Sequence, residues 1–499
     1  MRSRQLTAIA LVALLSGCNA LPDFRRPELP RPINGEFAWS TSAYNAATPS
    51  KADHEFWRRF NDHLLVELVR DDLHKNRDLH IAIANFDAAN VLLGQTKFDR
   101  YPTATMSSTV GHQRLSIVEA IGNQRSNDVY ILKVPVIWEL DFFGRVRRCI
   151  ETQRATVAPL ADDLQTAQVV IVSELTSTYV GLRGAENRLK ILRRNLVTQE
   201  RTLRIVNDRV EAGRDGHFNL ARAKSELGID RAREPVFQAQ ITLERNRIAV
   251  LTGHVPADID SRLRVSGNRL IIPRVENMGL PADVLRRRPD VRAAEQRLHA
   301  ATARVGVATA DFFPKLSLGA PLGTYSFTSA ALFISRAEFN AVVLGIDWSF
   351  LDVSRVRSRI EAKDADARGL LAQYQGTVLK AMEDTENSLE RVARSNQELE
   401  SLKSAADQAV LAESIGRRRF DRGAIGLFEY LDVQRSLLHA QDALEDGKTR
   451  SATAVIGLYA ALAGGWPEQP PLRETMTNRV EAQQKGGKNS SHYTTKAYG

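Results

Sequence analysis

The chain says the same thing twice. Asp78–Pro102 reads DLHIAIANFDAANVLLGQTKFDRYP, and Asp290–Pro314 reads DVRAAEQRLHAATARVGVATADFFP. At an offset of 212 (290 − 78), Ala82 meets Ala294, Ala88 and Ala89 meet Ala300 and Ala301, Gly94 meets Gly306, Asp99 meets Asp311 and Pro102 meets Pro314, with no gap. The echo continues at nearly the same offset: Trp138, Arg145 and Glu151 fall on Trp348, Arg355 and Glu361, and Gly213, Gly216 and Phe218 fall on Gly423, Gly426 and Phe428. A self-match of this length fixes the architecture as a tandem duplication before any residue-level reading begins. Each half should run helix, strand pair, very long helix, tight turn, long helix.

The helices are the longer part. From Val146 to Glu211 the only proline is Pro159, and from Leu175 the spacing alternates three and four through Thr178, Leu182, Ala185, Leu189, Leu192, Leu196, Gln199, Leu203, Val206 and Val210. That heptad seam predicts a helix packed along its length against others. At 1.5 Å per residue it spans roughly 100 Å, too long for a globular core. Ala212-Gly213-Arg214-Asp215-Gly216 is a stop and turn signal, and Phe218 to about Leu251 returns as an antiparallel helix that Pro235 is expected to interrupt. In the second half Asp421 to Gly426 is the turn, and the return seam is read as Tyr430, Val433, Leu437, Ala440, Leu444, Ala454, Leu458 and Ala461.

Two regions carry strand character. Leu316, Leu318, Ala320 and Leu322 alternate with Lys315, Ser317, Gly319 and Pro321, and Ile346, Trp348 and Phe350 alternate with Asp347, Ser349 and Leu351. Tyr101–Val110 and Val129–Leu140 are the less regular counterparts. Such alternation sets one face on lipid and one on a polar lumen, or forms a small soluble sheet capping the helices. No segment has 18 consecutive apolar residues, so a membrane crossing here has to be β-structure. Four strands cannot close a barrel, since bacterial barrels have at least eight, and open edges are not tolerated in lipid. Membrane strands in this chain therefore demand an oligomer.

LPADVLRRRPD (280–290), WELDFFGRV (138–146) and the repeat layout resemble the TolC-like outer membrane factors of tripartite efflux pumps, in their lipoprotein branch of the OprM/NodT type. The resemblance covers roughly Cys18 to Pro467. It implies a mainly α fold with a membrane β-barrel portion: a homotrimer closing a 12-stranded β-barrel continued by a periplasmic α-helical barrel. It also implies a passive exit duct that docks to a periplasmic adaptor (membrane fusion) protein and an inner-membrane transporter. An export duct dedicated to a nodulation-type signal stays open, as does a non-conducting lipoprotein tether bridging envelope layers. In the family, acidic residues matching Glu429 and Asp432 line the periplasmic aperture, with an aromatic matching Phe420 nearby. The turns resemble the tips that meet the adaptor, which makes Gly213, Gly216, Phe218, Gly423, Gly426 and Phe428 candidate contacts.

Met1–Cys18 reads MRSRQLTAIALVALLSGC: two arginines, an apolar run too short to span a bilayer, and a lipobox at Leu15-Ser16-Gly17-Cys18. Cys18 is the expected lipidation site, and several acyl chains give firm anchoring in outer membrane lipid where one would not. The alternative is an ordinary secretory signal containing a cysteine. The expected layout is a signal peptide over 1–17, an extended tether over 18–50, a first repeat over 51–275 (strands about 101–140, hairpin about 143–252), a second over 276–467 (strands about 313–351, hairpin about 355–463) and a polar, disordered tail over 468–499. Cys149 is the only other cysteine, so no intramolecular disulfide is expected.

Net charge is +9, yet the charges of both signs are interspersed along helical stretches, which argues for solvated faces and against nucleic acid. No catalytic motif is present: there is no Gly-x-Ser-x-Gly, His-Glu-x-x-His or Cys-x-x-Cys. Gly447-Lys448-Thr449 resembles the end of a phosphate loop, but Asp442 stands where glycine is needed and the segment reads as helix. The ten histidines are scattered. The expectation is no enzyme, no metal and no cofactor beyond the covalent lipid. Glu429 and Asp432, three apart, share a helix face, and in a trimer each would form a ring of like charges.

Overall fold

In a computed structural model, residues 24–27, 55–118, 125–264, 271–273 and 281–462 are described. Cys18 and most of the segments expected to form the signal peptide, tether and polar tail lie outside them. The first half begins with a 3-10 turn at Phe56–Phe60 and runs α1 (His63–Lys75), α2 (Arg77–Phe98), β1 (Thr103–Ala104), β2 (Ser107–Arg114), β3 (Ser126–Leu140), α3 (Arg145–Glu211), α4 (His217–Leu251) and α5 (Pro256–Leu263). The second half runs α6 (Pro281–Arg287), α7 (Pro289–Ala310), β4 (Lys315–Ser326), β5 (Glu338–Asn340), β6 (Val343–Asp347), α8 (Val353–Asp421) and α9 (Leu427–Ala461).

The repeat is visible in the hydrogen bonds. Helices α2 and α7 stand at the sequence offset of 212 and each ends one turn before a proline that opens the sheet. The Trp138 indole donates to the Arg100 carbonyl at 2.9 Å, and its counterpart Trp348 donates to the Phe312 carbonyl at 3.0 Å. These two indoles bolt the strands to the helices that feed them. The rest of WELDFFGRV starts α3: Asp141 accepts from the Val146 and Arg147 amides at 2.8 and 3.0 Å, satisfying donors a helix N-terminus otherwise leaves orphaned, and Phe143 stacks on Phe313.

The strands form one antiparallel sheet, with β1 and β2 as one interrupted edge, β3 and β4 in the centre, and β5 and β6 as the other edge. Its register sorts the faces. Val134 opposes Leu322, Trp138 opposes Leu318, and Leu318 opposes Leu344, while the alternate positions pair Glu139 with Ser317 and Lys315 with Asp347. One face is therefore mainly apolar, and the other carries Lys133, Glu139, Lys315 and Asp347 beside Ile137 and Val343. Leu344, Ile346 and Val110 are more than half exposed in the isolated chain, as lipid-facing residues are. Among the described residues no helix is long and apolar enough to cross a membrane.

Helix α3 has 67 residues and α8 has 69. Side by side the long helices run in the order α4, α3, α9, α8. On α3 the seam is buried at Leu175, Leu182, Ala185, Leu189, Leu192, Leu196, Gln199 and Val206, with Thr178, Leu203 and Val210 half-buried. Two expectations change. Helix α4 is continuous through Pro235, because the only amide it loses would have met the carbonyl of Arg231, which lies on the exposed side of the helix. On α9 Tyr430, Leu458 and Ala461 of the expected seam are buried, but so are Leu427, Leu431, Gln434 and Leu438, while Val433 and Leu437 are flanking, half-buried positions. Helix α9 is covered by α3 as well as α8, which widens its buried face beyond a two-stranded seam.

Candidate functional site

The two turns at the free end of the helical layer are built alike. Gly213 has φ +67° and Gly423 φ +72°, the left-handed region glycine enters without a Cβ penalty. The Gly213 amide donates to the Val210 carbonyl and the Arg214 amide to Arg209, while the Gly423 amide donates to Phe420 and the Ala424 amide to Arg419. Each is a Schellman closure of a long helix. Gly216 and Gly426, in extended conformation, then open α4 and α9. A Cβ on any of the four would meet nothing within 4 Å, so that side of each turn is open space. Phe218 is 75% and Phe428 55% exposed, a large apolar area for a surface turn.

Of the aperture candidates, Glu429 and Asp432 are exposed and Phe420 is not. The Glu429 carboxylate accepts from the Gly426 amide at 3.3 Å, favourable at the positive end of α9. Asp432 is paired with Arg435, which also lies 3.5 Å from Glu226 on α4. Phe420 is buried inside the tip, stacked on Tyr430 at 4.8 Å and covered by the Arg209 guanidinium at 5.0 Å. It packs with Val206, Ala223, Leu427, Tyr430 and Leu431 and so holds the two turns together from within. Burial, with Glu413 near its hydroxyl, pushes the Tyr430 phenol up.

Sequence reasoning missed the residues that tie one hairpin to the other. Arg222 on α4 lies over the Phe428 ring at 3.8 Å. Further from the tip, Arg188 on α3 holds both oxygens of Asp442 on α9 at 2.7 and 3.1 Å and reaches Asp446 at 2.7 Å. Arg233 on α4 meets the same Asp442 at 2.6 Å, and Arg188 also lies over the Phe237 ring. Burial pushes the Asp442 carboxyl up, but the hydrogen bonds and charges of Arg188 and Arg233 outweigh it and hold the group below its usual value. These partners lie more than 200 residues apart, and no local pattern announces them. Among the described residues no group of histidine, cysteine and carboxylate side chains could hold a metal. Cys149 is a half-buried free thiol.

The arginines of LRRRPD have a mechanical task. Arg287 donates to the Leu462 carbonyl at 3.0 Å and Arg288 to Ala461 at 3.2 Å, capping the end of α9, while Arg288 also pairs with Asp290 and Asp384.

A sheet with two open edges and helices some 100 Å long defines one segment of an oligomeric envelope conduit. The family model for outer membrane efflux proteins matches residues 68–254 and 280–464, one stretch per repeat, and the chain belongs to that family. It is similar to the toluene efflux pump outer membrane protein TtgC of Pseudomonas putida, at 27% identity over 94% of this chain and 97% of that protein. It is similar to the probable outer membrane lipoprotein SilC of Salmonella typhimurium, at 25% identity over 93% and 99%. The solved outer-membrane channel OprN superposes with a TM-score of 0.82 at 32% identity, covering 90% of this chain and all of that one. The protein is thus the outer membrane channel component of an efflux system and not an enzyme. Three copies complete the 12-stranded barrel and its helical continuation, and a periplasmic adaptor and an inner-membrane transporter are its partners. The reading as a non-conducting tether gives way to this membership.

Proposed function

We propose that the end carrying the two glycine turns is where the trimer meets its adaptor, and that the acidic residues beside the second turn set the ion preference of the periplasmic mouth. The observation that supports this most directly is the matched pair of turns, open around four glycines and flanked by exposed Phe218 and Phe428. A helical hairpin of a partner could approach such a backbone closely and cover both rings. At the mouth, Arg435 offsets Asp432, so Glu429 carries the larger share of the uncompensated charge. Three copies would place like carboxylates around one axis, which attracts cations and opposes closure unless hydrogen bonds restrain it. Glu429→Gln with Asp432→Asn should lower cation preference and weaken block by multivalent cations in planar-bilayer recordings, while neutral side chains still leave a pore. Charges elsewhere on the surface should matter less, because salt screens them within about 10 Å at 0.1 M. Wild-type selectivity and block in the double variant would reduce the pair to a solvated helix face.

We also infer that Cys18 carries the lipid. Phe24 stacks on His299 at 4.6 Å and Arg26 pairs with Glu295 at 2.7 Å, so this short segment lies antiparallel to α7. Six residues from Cys18 to Phe24 reach at most about 20 Å. From His299 to the end of α7 is about 17 Å of helix, so a lipid on Cys18 can lie level with the start of the sheet. Cys18→Ala should lose incorporation of labelled palmitate, with the trimer still recovered in the outer membrane because the strands hold it there. Unchanged incorporation would rule the lipidation out.

A further inference from the structure

The duplication gives the chain two elbows of the same build and different chemistry. In the first, α1 turns into α2 at Asn76, which accepts from the Asp78 and Leu79 amides and donates through its amide nitrogen to the Leu251 carbonyl at the end of α4. In the second, Arg288 stands at the matching place between α6 and α7 and donates to the Ala461 carbonyl at the end of α9. Each elbow therefore fastens a short helix pair to the last turn of a return helix. Four residues before Asn76 lies Asp72, and four before Arg288 lies Val284. Val284 is an ordinary core residue, 1% exposed. Asp72 is a carboxyl group with no solvent exposure at all.

One oxygen of Asp72 accepts from the Asn76 amide at 2.9 Å, and the other has no hydrogen-bond partner among the described residues. Glu174 on α3 and Arg247 on α4 face it, but they are hydrogen-bonded to each other. On α1 itself, Asp71 and Lys75 pair with one another, and Asp71 also binds Arg262 on α5. The rings at the joint are His74, His80 and His254, the last reaching Lys75 at 3.2 Å. A carboxylate buried without a counter-charge of its own is expensive, and the cheaper state is the neutral acid.

We propose that the first elbow is a proton-operated joint: with a proton on Asp72 it clamps α1 and α2 onto the end of α4, and without it the joint loosens, while the second elbow, anchored by a guanidinium, does not respond. Burial pushes the Asp72 carboxyl up to about 7, from an ordinary 3.8, with Asn76 pulling the other way. A raised folded-state value means that the stabilisation is complete below the unfolded value and is lost as pH rises through the folded one. The clamp is therefore tightest in acid and relaxes toward neutrality. Above neutrality the dependence flattens, because open and closed forms are then both ionised. Helices α3 and α4 form the first hairpin and α4 ends at this joint, so the first hairpin gains freedom with pH and the second does not.

The test is hydrogen exchange on the detergent-solubilised full-length trimer, corrected for intrinsic exchange rates, between pH 5 and pH 8. Wild-type amides at 72–79 and 251–254 should show a local opening constant that rises at least about tenfold over that range, since one proton is worth up to tenfold per pH unit. Amides at the second elbow should show no such rise. Asp72→Asn should abolish the slope, and His254→Gln should leave it intact. A flat wild-type profile, or a slope that survives in Asp72→Asn, overturns the proposal. If Asp72→Asn does not assemble, Asp72→Val, which copies Val284, replaces it. If neither assembles, infrared spectra of wild type with isotope-labelled aspartate decide: a protonated aspartic acid at pH 6 supports the joint, and none at that pH overturns it.

Discussion

Replacing Asp442 by alanine should destabilise the helical layer by about 1.5–3 kcal/mol, because it removes the carboxylate that two half-buried arginines share, although Arg188 keeps Asp446 and Arg233 keeps Asp230. Arg188, Arg233 and Asp442 are each less than a third exposed, and they join three helices from both repeats at one level of the conduit. Removing one member of a half-buried ion cluster costs more than the cluster is worth, because the remaining charges keep part of their desolvation penalty. A surface pair such as Arg394 with Glu390, 67% and 39% exposed, should cost at most about 0.5 kcal/mol when broken. The measurement is the midpoint of heat-induced loss of helical circular dichroism in the trimer. Asp442→Ala should lower it clearly and Glu390→Ala should not. Replacing Arg188, Arg233 and Asp442 together by apolar residues of similar volume should recover much of the loss. Because Asp442 is held below its usual carboxylate value, its contribution is present above the unfolded value and lost only as pH falls through the lower, folded one. The cluster should therefore persist in mild acid, where Asp72 is also at its most favourable.

Gly253→Ala should cost about 3 kcal/mol, and Gly213→Ala only about 1 kcal/mol, although the two glycines share a backbone conformation. Gly253 has φ +68° and Gly213 φ +67°. A Cβ at 253 would lie 2.6 Å from the Lys75 carbonyl oxygen, whereas one at 213 would meet nothing within 4 Å. The first substitution must therefore push the α4 turn away from the elbow, and the second only strains a free turn. The same thermal midpoint checks the ranking, and equal shifts for the two variants would refute the steric account. Because the α4 turn carries the clamp on Asn76, Gly253→Ala should also expose the first elbow to hydrogen exchange at every pH.

The sequence by itself determined the large plan. The offset of 212, the heptad seam from Leu175 and the alternation around Leu316–Leu322 are local or periodic signals, and each follows from geometry that neighbouring residues share. The glycine turns were legible for the same reason: Gly213 and Gly423 sit where a helix must stop and the backbone favours glycine. The tertiary structure alone decided what long-range partners do. It carried α4 straight through Pro235, widened the seam of α9 and buried Phe420 behind Tyr430. It gathered Arg188, Arg233 and Asp442 into one cluster, and it left Asp72 without a counter-ion at the elbow where Val284 is its copy. A helix face records its own periodicity but not the identity of the side chain that will lie against it from more than 200 residues away, and charges respond to that neighbour rather than to their own spacing.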